Sequence, residues 1–243
     1  MFKLIVLLGL VSLCIAAPSG RVVNGTDARI EDYPWMASLH IWAGHNCGGS
    51  IISDRWILSA AHCDASTIEV GTDRWNAGKK IAVKRWIKHE NYNPSTLEND
   101  IAVVELAEPI EFAYNMQPVK LPEPYYEVPG SYETRAYLTG FGFEQSGGNV
   151  QSRLKEAELF VVSNEECSQI HYSTVYQSML CAGIREGGRG QCSGDSGGPL
   201  VVNGVQVGVV SWSVKPCAIG PYPGVYTKVS HFVPWIKAKT GMA

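Results

Sequence analysis

Several things are missing from this sequence, and each absence removes a class of function. Strong charge is one. Twenty Lys and Arg against 23 Asp and Glu leave a net charge of −3, too weak and of the wrong sign to gather nucleic acid or an anionic membrane surface. A membrane-spanning segment is another. The longest apolar run, residues 4–15, is short, about a dozen residues where a spanning helix needs about 20. There is no C-x-x-C and no H-E-x-x-H, two of the spacings in which cysteine and histidine hold zinc. Internal repeats, low-complexity tracts and a linker between separate domains are absent as well.

What is present points to an exported all-β protein. The 25 glycines and 13 prolines punctuate many short runs of β-branched and aromatic residues, the pattern of strands joined by tight turns. Lys3, the apolar run after it and the small residues Ala16 and Ala17 read as a secretory signal peptide over residues 1–17. Export implies an oxidising, extracellular compartment. Of seven cysteines, Cys14 leaves with that peptide, and the remaining six allow fifteen pairings. A proline-rich connector, residues 121–130, separates two strand-rich halves. In the second half, Asn203-Gly204 between two β-branched runs is a hairpin turn. Phe232, Val233, Trp235 and Ile236 around Pro234 predict a short amphipathic helix over about 230–240.

Chemistry concentrates in residues 190–200, Gly-Gln-Cys-Ser-Gly-Asp-Ser-Gly-Gly-Pro-Leu. Glycines there let the backbone bend sharply and approach another surface. Such a loop can present the Ser196 hydroxyl and aim backbone N–H groups at an oxygen beside it, as acyl transfer requires. A hydroxyl is a poor nucleophile near pH 7, so a base and an orienting carboxylate must come from elsewhere. His62, in Ala-Ala-His-Cys at the end of an apolar strand-like run, and Asp100, at the head of Asp-Ile-Ala-Val-Val, supply candidates for both. Together with Gly-Asp-Ser-Gly-Gly-Pro, these motifs resemble the chymotrypsin/trypsin family of secreted serine proteases. The likeness spans essentially the whole chain after residue 21 and is closest to an invertebrate chymotrypsin-like or elastase-like member.

The resemblance implies a fold of two packed antiparallel Greek-key β-barrels with a short C-terminal α-helix. The first barrel is expected at about 35–120 and the second at about 131–230, within a protease domain at 22–243. It implies that Ser196 attacks the peptide carbonyl, His62 takes its proton, Asp100 orients His62, and the N–H groups of Gly194 and Ser196 hold the oxyanion. Disulfides would be Cys47–Cys63, Cys167–Cys181 and Cys192–Cys217. Residues 18–21 become a propeptide: cleavage after Arg21 by a trypsin-like protease frees the Val22 amine, which pairs with Asp195. Ser38 and His45 match residues that hold this aspartate before cleavage. The family's calcium loop, here residues 71–81, has lost its carboxylates apart from Asp73, and calcium wants several oxygen ligands. Neither a cofactor nor a metal is therefore expected. Partners would be protein or peptide substrates and protein protease inhibitors, with no nucleic acid or membrane, for a monomeric enzyme. Asn24-Gly-Thr26 is a glycosylation sequon.

By position along the matched loops, the specificity pocket comprises Gly190, Gln191, Ser211, Trp212, Ser213 and Gly224. Trypsin-like members carry an aspartate where Gly190 stands, and no acid lies in residues 217–223 to replace it. A buried cation without a counter-charge is costly, so large hydrophobic P1 side chains are expected over Arg and Lys. Gln191 and Ser213 leave an elastase-like or broad preference as the alternative. A catalytically silent homologue acting as a binding protein is the other reading, although all three triad residue types are present.

Overall fold

The computed structural model describes residues 22–42 and 44–242. The expected signal peptide, the propeptide and Arg21 lie outside the described residues. Six strands close the first barrel: β2 (Met36–Ile41), β3 (Gly44–Ile51), β4 (Trp56–Ser59), β5 (Thr67–Val70), β6 (Lys79–Lys88) and β7 (Ala102–Leu106). They run antiparallel in the ring order β2-β3-β4-β7-β6-β5, in which the fourth strand pairs back with the first and the sixth with the third. Closure removes the free edges that would otherwise invite a second chain.

The second barrel repeats the pattern with β8 (Ser131–Gly140), β9 (Lys155–Val162), β10 (Met179–Gly183), β11 (Pro199–Val202), β12 (Val205–Trp212) and β13 (Gly224–Lys228). The ring order is β8-β9-β10-β13-β12-β11, closed by β8 on β9, with the short β1 (Thr26–Asp27) added to β9. The predicted hairpin forms between β11 and β12. Asn203 and Gly204 both take positive φ, 49° and 77°, and Val202 pairs with Val205 across them. Two positive φ values in a two-residue loop match the right-handed twist of the flanking strands.

Helix α1 (Asn164–His171) is capped by Ser163, whose hydroxyl accepts from Glu166 N. The closing helix α2 (Val229–Thr240) contains Pro234. Proline has no N–H to give the carbonyl four residues back; that carbonyl, of Ser230, instead accepts from Tyr125 N of the connector at 2.8 Å. The substitution in partner ties helix to connector. Val229, Phe232, Val233 and Ile236 then join a core cluster with Ile101, Val103 and Leu106 of the first barrel, so the C-terminal helix fastens one half to the other.

Candidate active site

Between the barrels, Asp100 is fully buried just ahead of β7. A buried carboxylate must be hydrogen-bonded, and this one is saturated from both halves. Oδ1 accepts from His62 N at 2.9 Å, and Oδ2 accepts from His62 Nδ1 at 2.7 Å and from Ser211 Oγ at 2.6 Å. Thr227 Oγ1 donates to the Asp100 carbonyl at 2.7 Å. His62 and Asp100 come from the first barrel, Ser211 and Thr227 from strands β12 and β13 of the second. An acceptor-only carboxylate on Nδ1 requires the proton there and leaves Nε2 with its lone pair, the form a general base needs. The His62 side chain is 26 % accessible, open enough to meet a substrate.

The serine loop is pinned at several points. Gly48 N donates to Ser196 O at 2.8 Å and Gly197 N to Val210 O at 2.8 Å. Gly197 has φ +79°, and a Cβ there would collide with Ser59 Oγ and the Gly48 carbonyl. The loop can therefore lie against the end of β4, three residues before His62, only as glycine. No direct Ser196–His62 hydrogen bond is formed in this conformation; catalytic bonds of this kind tighten when substrate is bound. Cys192–Cys217 staples the loop to the opposite wall, Cys47–Cys63 ties β3 to the turn carrying His62, and Cys167–Cys181 joins α1 to β10.

Asp195 lies behind Ser196, fully buried. Its Oδ1 accepts from Gly142 N and its Oδ2 from Cys192 N, both at 2.9 Å. These two donors do not offset the loss of water, and burial pushes the carboxyl up to about 7. Val22 is also fully buried, in the core cluster with Ala136, Leu138 and Ala157, and Val23 bridges Gly190. Val22 has φ 48°, a left-handed conformation strained for a β-branched residue.

A family model for trypsin matches residues 22–236. The chain belongs to the trypsin family. Over 234 residues it is 42 % identical to "Trypsin" of Phaedon cochleariae, covering 92 % of this chain and 90 % of that protein. Over 233 residues it is 37 % identical to "Trypsin 5G1" of Aedes aegypti, covering 92 % and 86 %. The chain is thus a serine endopeptidase of this family, carried on two closed barrels and three disulfides.

Beside Ser196 a cleft of about 320 Å³ is lined by Gly194, Ser196, Ser211, Trp212, Ser213 and Lys215. Gln191 forms its floor. The Gln191 side chain is buried, its Nε2 donates to Trp212 O at 2.6 Å, and its Oε1 has no partner. A Cβ on Gly224 would sit 2.9 Å from that carboxamide. Beyond it, next to Gly190, only about 10 Å³ of cavity remains, room for a single water-sized sphere. Lys215, whose Nζ lies 3.2 Å from Ser193 Oγ, is the charged side chain lining the cleft. His171 buttresses the far wall, its ring 5.0 Å from Trp212 and its Nε2 2.9 Å from the Pro223 carbonyl.

Three of these groupings were not legible in the sequence. Ser211, expected as a residue of the specificity pocket, also holds Asp100 through its hydroxyl. His45 Nε2 meets the Gly194 carbonyl at 2.9 Å, whereas the Asp195 carboxylate takes its hydrogen bonds from Gly142 and Cys192. Asn24 is exposed, but its Nδ2 donates to Gly188 O at 2.6 Å, so a glycan on that nitrogen would compete with this bond. Gly142 gave a faint signal as one of two glycines around Phe141; a side chain there would strike Asp195.

Proposed function

We propose that this chain is the precursor of a secreted endopeptidase whose cleaved form hydrolyses peptide bonds through Ser196, His62 and Asp100. The observation that carries this reading is the saturated Asp100 carboxylate, which fixes the His62 tautomer with Nε2 free. Ser196 Oγ attacks the carbonyl carbon as Nε2 takes its proton. The imidazolium then returns that proton to the leaving amine, and water repeats the sequence to release the acyl group. Gly194 N and Ser196 N hold the oxyanion. Cleavage after Arg21 by a trypsin-like protease supplies an ammonium at Val22 for Asp195, an uncompensated buried acid until then.

At P1 the enzyme prefers uncharged hydrophobic side chains to Arg and Lys. Gly190 places no anion at the pocket base, and Lys215 at the cleft opposes a second cation. Gln191 sets the depth, so Phe and Tyr enter fully only when its carboxamide swings off Trp212 O. The names of the two relatives favour a second reading, basic P1 residues. A P1-scanning peptide library on the trypsin-activated enzyme decides between them: faster cleavage after Leu, Met, Phe or Tyr supports the first, and faster cleavage after Arg or Lys overturns it. Titration with a serine-directed acylating inhibitor checks the nucleophile; no burst after cleavage at Arg21 would leave the silent homologue as the answer.

A further inference from the structure

A chain of hydrogen bonds runs through the first barrel from its surface loop to the oxyanion site. Glu69 in β5 is buried, and its carboxylate takes Gly78 N at 2.7 Å and Asn76 N at 3.0 Å. Its Oε2 also lies 3.0 Å from His40 Nε2, with both side chains buried. The same His40 Nε2 is 2.8 Å from Ser38 Oγ. Ser38 Oγ is 2.7 Å from His45 Nδ1, and His45 Nε2 is 2.9 Å from Gly194 O.

Donor and acceptor rules give this chain one direction. The ionised Glu69 carboxylate, held low by His40 and the two backbone N–H groups against the opposing effect of burial, can only accept. His40 Nε2 must therefore carry hydrogen, shared between Glu69 and Ser38. Ser38 accepts that bond and spends its single O–H on His45 Nδ1. His45, kept neutral by burial that lowers it to about 4, must then carry its hydrogen on Nε2, where the Gly194 carbonyl waits. Gly194 has φ +91° and no side chain to hold it, so its orientation depends on such outside bonds.

We propose that Glu69 and His40 are positioning residues for the oxyanion hole, fixing the Ser38–His45 tautomer and through it the setting of Gly194. This rests on Gly194 as an oxyanion donor. Glu69→Gln keeps the shape of the side chain but introduces an N–H. His40 can then present a bare Nε2, Ser38 can turn its O–H toward it, and His45 can lose its donor to Gly194.

The test uses trypsin-activated full-length enzyme and a peptide aldehyde, which forms a hemiacetal on Ser196, beside the matching non-electrophilic peptide alcohol. The wild type should bind the aldehyde more tightly than the alcohol; equal binding would refute the oxyanion reading itself. Given that preference, Glu69→Gln should lower kcat and aldehyde affinity each about tenfold, with KM and alcohol affinity within twofold. Because Glu69 also ties down residues 76–78, Ser38→Ala and the double variant complete a cycle. In the Ser38→Ala background, Glu69→Gln should cost no more than a further twofold. Full additivity, or unchanged aldehyde affinity in Glu69→Gln, would overturn the proposal.

Discussion

At Asp100 three donors share two carboxylate oxygens, and Ser211 is the donor that comes from the second barrel. A hydrogen bond to a charged group contributes about 1.5–3 kcal/mol. Ser211→Ala should therefore lower kcat by roughly tenfold or somewhat more, with KM little changed, because the carboxylate then orients His62 less firmly. Steady-state kinetics on an uncharged P1 substrate measures this, and an unchanged kcat would show that the two His62 bonds suffice. Gln191 offers a second case. Its Oε1 is unpartnered and its Nε2 gives one bond, to Trp212 O, so replacing the side chain forfeits that single bond, and Gln191→Ala merges the cleft with the space behind it. Specificity for Phe and Tyr relative to Leu should rise about tenfold, one to two methylenes of extra burial at roughly 0.8 kcal/mol each. Gly190→Asp tests the base of the same pocket. A Cβ there would meet Ala218 at an ordinary 3.4 Å, so the backbone admits a side chain; its carboxylate fits once Gln191 swings aside, and cleavage after Arg and Lys should then increase relative to Phe.

At the level of elements, two glycines with nearly the same φ differ in what surrounds them. Gly204 turns the β11–β12 hairpin at +77° with nothing within 4 Å of a Cβ, whereas Gly197 at +79° faces the backbone of β3 and β4. Gly204→Ala should cost only about 1 kcal/mol of strain. Gly197→Ala should displace the serine loop and abolish active-site titration, and comparing thermal midpoints with titrated sites for both variants checks the contrast. The strands, the hairpin and the closing helix were legible because period, turn chemistry and chain order are local properties of the sequence. The Asp100–His62 bond had a sequence signal as well, in two residue types set in distinctive runs. The Glu69–His40 pair, the Ser211–Asp100 bond and the folding of Gln191 across its own pocket had none. Each depends on segments far apart in sequence coming together, through strand register where His40 lies opposite Thr67 and through loop placement at Asp100 and Gln191, which patterning alone does not specify.

For the whole molecule, the two barrels meet at groups that neither could satisfy alone: Asp100 with Ser211 and Thr227, Ser50 with Gln206, Gly48 with Ser196. Asp195 is the exception, and it makes the proposed activation step measurable without an activity assay. Its carboxyl is raised from 3.8 to about 7. Below the lower value it is protonated whether the chain is folded or not. Between the two, the unfolded chain releases the proton and the folded chain retains it. Uncleaved protein in this conformation therefore loses stability from Asp195 as pH rises from about 4 to 7, on the order of a few kcal/mol. His45, lowered to about 4, acts in the opposite sense over nearly the same window, so a single pH curve would hide the effect. The difference between cleaved and uncleaved forms isolates it, since His45 is common to both and, in the proposed activation, cleavage supplies the ammonium that keeps Asp195 ionised. Cleavage also frees the strained Val22 φ, a gain independent of pH. Both forms should carry Ser196→Ala to prevent self-digestion. The thermal midpoint of the cleaved form should exceed that of the uncleaved form by a margin that widens between pH 4 and 7, reaching on the order of 10 °C at about 2–4 °C per kcal/mol for a chain of this size. The margin should narrow again at alkaline pH as the amine loses its proton. A margin that stays flat or shrinks between pH 4 and 7 would mean that the Val22 amine does not pair with Asp195.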